Sequence, residues 1–170
     1  MERNKTLPAA GELESLASFL DFQRATMVQK AEGLTDEQAA SRPVEPSTLS
    51  MSGLIKHLAL VEESWFQSVF TGGELDEPWA SAPFDDDRDW EFNSASGDHI
   101  SDLIAMYEAA CEKSRQVVAA AESLDQISAK DTRRGKVSLR WILLHMIEET
   151  ARHAGHADMI RERIDGSTGI

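Results

Sequence analysis

The segment from residue 145 to residue 160, HMIEETARHAGHADMI, concentrates side chains that can bind metal ions or transfer protons. It holds three of the five histidines of the chain, together with two glutamates. If the segment is a helix, each residue advances by about 100°, so its three histidines all point within about 40° of Glu149. These histidines are His145, His153 and His156.

The same face of this predicted helix also carries the apolar residues that would face a protein core. They recur at helical spacing, at Ile142, Met146, Ala157, Ile160 and Ile164. The histidines and Glu149 should therefore point inward. A buried carboxylate without a partner is costly, and a cluster of histidine and glutamate at helical spacing is typical of a shared metal ion.

A further histidine, His57 in LIKHLALVEESW, lies at the edge of another predicted apolar stripe. Alone, it would be typical of a core histidine that makes one hydrogen bond. Two helices that each direct a histidine into the interior of a bundle can supply ligands to one ion. His57, Glu149 and His153 form such a triad, and three protein ligands leave a position open for water or substrate.

Two other metal motifs are excluded by the spacing of the histidines. A di-iron bundle needs two Glu-x-x-His motifs, and no histidine has a glutamate three residues before it. The His-Glu-x-x-His motif of metalloproteases is also absent, because Met146 follows His145.

The elements that must position these residues are helical. Apolar periodicity and end signals predict long helices over residues 12–33, 53–72, 99–122 and 138–165, with Ser52 as the N-cap that precedes the second and Gly166 as the stop of the last. A capping box from Thr35 to Gln38 predicts a short helical turn. No alternating strand pattern is found. The predicted class is all-α, a helix bundle.

The connection over residues 72–98 is too long for a simple turn. It is rich in Gly, Pro and Asp, and it carries Trp79, Phe84, Trp90 and Phe92. Two interpretations stay open: the aromatics line a binding site, or they only attach the crossover to the bundle. We expect the segment to border the substrate entrance. Its DDDRD run is more typical of a solvated turn than of a calcium loop.

Length and charge limit the remaining possibilities. A chain of 170 residues is long enough for one domain, and we predict a single domain over residues 1–170. A formal charge of −13 argues against binding to nucleic acid or to anionic membranes. Cys111, the single cysteine, is expected to be a buried thiol. The lack of a signal-like N-terminus predicts a soluble, cytoplasmic protein.

These residues resemble a known family. The histidine of SGLIKHL, taken together with EETARHAGHADMIRE, is similar to the DinB/YfiT-like superfamily. The segments DDDRDWEF and YEAACEKSR resemble one of its actinobacterial branches, which is uncharacterised. The resemblance covers nearly the whole chain, and it implies a DinB-like up-and-down four-helix bundle with a long loop between helices 2 and 3.

The resemblance also implies a divalent metal, commonly zinc or nickel, held by three side chains. Glutamate is the first ligand of the last helix in the related mycothiol-dependent maleylpyruvate isomerases, which matches Glu149, with His57 and His153 as the other ligands. His156 stands where glutamine is usual, so either His156 or Glu149 completes the set of ligands. His145 matches a residue beside the ligands or in the core.

The implied activity is that of a metal-dependent enzyme that uses a low-molecular-weight thiol such as mycothiol or bacillithiol. An S-transferase or isomerase acting on a small molecule is the first hypothesis, with His156 and His145 as catalytic proton carriers. A hydrolase that uses metal-activated water and a non-catalytic metal- or ligand-binding module are the alternatives. A homodimer is the expected assembly.

Overall fold

The structure is a computed structural model that describes residue 1 and residues 3–169. Its helices are α1 (Glu12–Ala31), α2 (Asp36–Ala40), α3 (Met51–Glu62), α4 (Trp90–Ser94), α5 (Ile100–Ala120) and α6 (Leu139–Asp165). The described residues contain isolated β-bridges and no strand. The predicted all-α class is confirmed, whereas the single domain over residues 1–170 stays a prediction.

The end signals read from the sequence locate most helix boundaries. Ser138 precedes α6 and accepts a hydrogen bond from the Trp141 amide at 3.3 Å, and Gly166 ends the helix with a left-handed φ of 77°. The capping box between Thr35 and Gln38 opens α2 as predicted.

The predicted start of the second long helix was wrong by two residues. Ser50, not Ser52, precedes α3, and its hydroxyl accepts a hydrogen bond from the Gly53 amide at 3.1 Å. The Ser52 side chain lies in the first turn and is buried. Serine is a preferred residue at the N-cap, so the sequence alone suits either position. In the structure Ser50 is the N-cap, and Met51 packs into the core as the first helical residue.

Helix α3 is followed without a break by a π-helix over Glu63–Phe70. The hydrogen bond from the Thr71 amide to the Phe66 carbonyl, at 3.2 Å, spans five residues. This change of pitch turns Trp65 and Val69 away from the positions that a regular helix would give them.

The connection between the second and third long helices is more structured than predicted. It contains α4 and a short 3₁₀ turn over Ala95–Gly97, where the sequence suggested only loop. Trp79 is buried in the core, and Trp90 packs against both Trp79 and Phe84 with ring centroids 6.3 and 6.0 Å apart. The aromatics therefore attach the crossover to the helices.

The four long helices pack α1 against α6 and α3 against α5, with α3 also contacting α6. This last contact brings the second and the last predicted helices together.

Cys111 is fully buried, as expected. Leu13, in the first turn of α1, is 41% exposed. No helix among the described residues is long and apolar enough to cross a membrane.

Candidate metal centre

Side chains from α3 and α6 converge at one point between the two helices. His57 extends from α3, and Glu149 and His153 extend from successive turns of α6. One ligand atom from each of the three residues lies within 4.8 Å of the other two. The triad predicted from the sequence is therefore brought together by the fold.

The carboxylate of Glu149 lies between the two imidazoles. Its Oε1 is 3.2 Å from Nε2 of His153 and 3.5 Å from Nε2 of His57. The two rings meet edge to face, with centroids 5.0 Å apart. Both Nε2 atoms thus face the same carboxylate oxygen, so two nitrogen donors and one oxygen donor converge. This donor set is one that zinc and nickel accept.

The surroundings of the triad favour a negative Glu149. Hydrogen bonds from His153 and His57 hold the pKa of the Glu149 carboxyl well below its usual range, against the effect of burial. Burial alone would lower the pKa of His57, but its hydrogen bonds to Glu149 and Glu91 outweigh burial and raise it. The other carboxylate oxygen of Glu149, Oε2, lies 3.5 Å from the guanidinium of Arg152.

A fourth residue, Glu91 on α4, reaches the triad from the crossover. Its Oε1 lies 2.9 Å from Nδ1 of His57, on the opposite side of the ring from Glu149. Glu91 is only 5% exposed, and its other oxygen, Oε2, is buried and has no hydrogen-bond partner among the residues that the structure describes. Sequence reasoning missed this residue, because nothing in the spacing of the WEF segment connects it to a histidine 34 residues earlier.

Phe92, next to Glu91, covers the His57 ring. The two rings stack with centroids 4.6 Å apart and an interplanar angle of 25°. The close approach depends on Gly53, because a Cβ at that position would lie 3.0 Å from Cδ1 of Phe92. His57 is therefore held by a carboxylate at its edge and an aromatic ring on its face.

Polar contacts of Lys56 hold α4 in this position. Its ammonium donates to the Ser94 hydroxyl at 2.9 Å and pairs with Asp98 at 2.6 Å. The same ammonium lies 4.6 Å from the centroid of the Trp90 ring. Lys56 thus ties both ends of the segment that carries Glu91 to the helix that carries His57.

His156 lies beside the triad rather than in it. Its Nδ1 is 3.4 Å from Nδ1 of His153, which is the ring nitrogen turned away from Glu149. Burial, and then the charge of His153, lower the pKa of His156. Of the two alternatives for the third ligand, the fold groups Glu149, and not His156, with His57 and His153.

His145 lies in different surroundings, one turn before Glu149. Its ring stacks on Trp141, with centroids 5.1 Å apart, and meets Trp65 edge to face at 4.8 Å. It does not belong to the group of three ligand atoms. The polar face predicted from the sequence thus divides into a part that carries Glu149 and His153 and a part that packs on aromatic rings.

Comparison with known proteins identifies a family and a solved structure of similar fold. The family model described as mycothiol-S-transferase matches residues 15–166. No curated protein matches the chain. A solved structure described as a conserved protein from Enterococcus faecalis aligns with a TM-score of 0.69 and 15% identity, over 94% of this chain and 100% of that one. At this identity the likeness concerns the fold alone.

Proposed function

The chain belongs to the mycothiol-S-transferase family, and on that premise we propose that it transfers a low-molecular-weight thiol to an electrophilic small molecule with the help of a divalent metal ion. The convergence of His57, Glu149 and His153 from two helices is the observation that carries this proposal. Two imidazoles and one carboxylate are a ligand set that catalytic zinc uses, and three protein ligands leave one position for water or a thiol.

The ligands of the ion are Nε2 of His57, Nε2 of His153 and the carboxylate of Glu149, and zinc or nickel is the proposed metal. When bound, such an ion supplies a positive charge that lowers the pKa of a thiol, so that the thiolate forms near neutral pH. Mycothiol is the proposed thiol because the family carries its name.

The protein's own residues fix the ligands before any ion arrives. Glu91 accepts the Nδ1 proton of His57, so Nε2 is the nitrogen that faces the triad, and a bound ion would take the place of its proton. His156 touches the outer nitrogen of His153 in the same manner. We assign to His156 the uptake of the thiol proton because it lies against His153, whereas the His145 ring lies against Trp141 and Trp65.

The transfer balances as a substitution. The thiol gives up its S–H proton, a new bond forms between sulfur and the electrophilic carbon, and the bond from that carbon to the leaving group breaks. The leaving group takes the electron pair of the broken bond, and the released proton passes to a basic leaving group or, where the leaving group is a halide, to the solvent. No oxidant or reductant is consumed.

Thiol dependence tests this function. Zinc- or nickel-loaded protein is incubated with mycothiol and the alkylating agent monobromobimane, and the thioether and bromide are measured. We expect thioether formation above the uncatalysed rate, and a return to that rate in His57→Ala. The matched control His99→Ala alters an exposed histidine outside the site and should keep the activity. Release of bromide in the absence of thiol would instead indicate a hydrolase. If the protein does not raise the rate above the uncatalysed one, the proposed transfer is wrong and a non-catalytic binding module is favoured.

A further inference from the structure

A second pocket lies outside the triad, between the π-helix, the start of α6 and the hairpin loop that joins α5 to α6. Its volume is about 710 Å³, within the range of roughly 300–1,000 Å³ that is usual for small-molecule sites. Nothing in the proposed thiol transfer uses it. We call it the arginine pocket, and it is lined by Trp65, Val69, Thr132, Arg133, Arg134, Trp141, His145, Glu148 and Arg152.

One wall of the arginine pocket is a set of three rings. His145 lies against Trp141 and Trp65, and the two indoles are themselves 5.4 Å apart between centroids. All three residues are only partly buried, so ring surface is left open to the pocket. Trp65 and Val69 both belong to the π-helix. An open aromatic surface of this kind favours a planar apolar group.

The opposite wall carries two adjacent cations on a tight turn. The backbone of Thr132 and Gly135 exchanges hydrogen bonds of 2.9 and 3.0 Å, and Gly135 has the left-handed φ of 83° that closes the turn. Arg133 and Arg134 form its tip. The loop is fixed to the end of the π-helix by hydrogen bonds of 3.0 Å from the amides of residues 129 and 130. The two guanidinium groups are therefore presented by an ordered backbone.

These two cations lack the partners that neighbouring arginines have. Arg140 pairs with Glu12 and Asp125, and Arg152 pairs with Glu148 and Glu149. Arg133 and Arg134 form no ion pair with any residue that the structure describes. In a chain with a formal charge of −13, two adjacent unpaired cations facing an aromatic wall favour an anion.

We propose that the arginine pocket binds a small planar organic anion, of the class of aromatic carboxylates, with its ring on the Trp65, Trp141 and His145 wall and its carboxylate at Arg133 and Arg134. A carboxylate matches the paired donors of guanidinium, and a ring system of one or two rings fits the volume. The site is separate from the triad, and its occupation does not depend on the proposed transfer.

The test uses 2-naphthoate and its neutral analogue 2-naphthamide, titrated into the full chain by calorimetry with a chelator present throughout. The chelator makes the result independent of metal binding and thus of the proposed function. We expect saturable binding of 2-naphthoate, and binding of the amide that is weaker by about tenfold or more, because only the acid carries the charge that guanidinium recognises.

The matched variants are Arg133→Gln/Arg134→Gln and Arg42→Gln/Arg163→Gln. The second pair removes two exposed arginines that line a different cavity, so both variants lose the same charge. We expect the first variant to lose about tenfold or more in affinity for 2-naphthoate and the second to keep the parental value at the same ionic strength. Equal affinity for acid and amide, equal losses in both variants, or no saturable binding would each overturn the proposal.

Discussion

Oε1 of Glu91 lies 2.9 Å from Nδ1 of His57. The contact connects α4, a five-residue helix in the crossover, to α3. This contact makes the crossover part of the candidate metal centre. A ligand histidine that donates its other N–H to a carboxylate is held in one tautomer and one orientation. The long loop therefore contributes to the site through Glu91 and Phe92, whatever its relation to a substrate.

Replacing Glu91 by glutamine should weaken metal binding without removing any ligand. The amide cannot accept the imidazole proton as a carboxylate does, so we expect the affinity for zinc to fall by about 10- to 100-fold. Calorimetric titration with zinc measures the change. Asp89→Asn, on the same segment but exposed, is the matched control and should keep the parental affinity. Equal affinities in the two variants would contradict the role given to Glu91.

Metal should stabilise the folded protein. The ligands converge only in the folded chain, so binding adds roughly 3 kcal/mol to the free energy of unfolding at a hundredfold excess of free metal over Kd. Thermal melts in zinc and in chelator measure the shift. His153→Ala should melt at the same temperature in both solutions. Coincident melts of the parent protein would argue against a native metal.

A buried ion pair should contribute strongly to stability away from the site. Arg24, only 3% exposed, donates to both carboxylate oxygens of the fully buried Glu62, at 2.7 and 2.6 Å. Glu62→Gln leaves the guanidinium with the single carboxylate of Asp21, so we expect a loss of about 3–5 kcal/mol. Urea denaturation measures it. Glu12→Gln breaks an exposed pair with Arg140 and should cost much less, because water screens the attraction between exposed charges.

The exposed contact between His99 and Asp36 should be visible in their titration. The hydrogen bond to Asp36, at 2.6 Å, raises the pKa of His99, and the same bond lowers the pKa of Asp36. Because its pKa is raised, His99 contributes to the free energy of unfolding below the pKa that it has in the unfolded chain. This contribution is lost as the pH rises through the pKa of His99 in the folded protein. Because its pKa is lowered, Asp36 contributes to the free energy of unfolding above the pKa that it has in the unfolded chain. This contribution is lost as the pH falls through the pKa of Asp36 in the folded protein. In Asp36→Asn the pKa of His99, measured by NMR, should fall toward its ordinary value.

Helical periodicity and end signals are local properties, which is why the all-α class and most helix limits could be predicted. Glu149 and His153 lie four residues apart on one helix, so their shared face also followed from spacing. The contact of His57 with Glu91 depends on how the crossover packs, and no local pattern encodes it. The π-helix, which places Trp65 beside His145, was likewise missed, because its residues keep an ordinary apolar pattern.

The central claim is that His57, Glu149 and His153 bind one divalent ion between α3 and α6. The most direct measurement is the metal content of protein prepared without chelator or a metal-binding tag, by inductively coupled plasma mass spectrometry. We expect about one zinc or nickel per chain, an empty site in His57→Ala and in His153→Ala, and full content in His99→Ala. Full metal content in the His57→Ala or His153→Ala protein would contradict the claim.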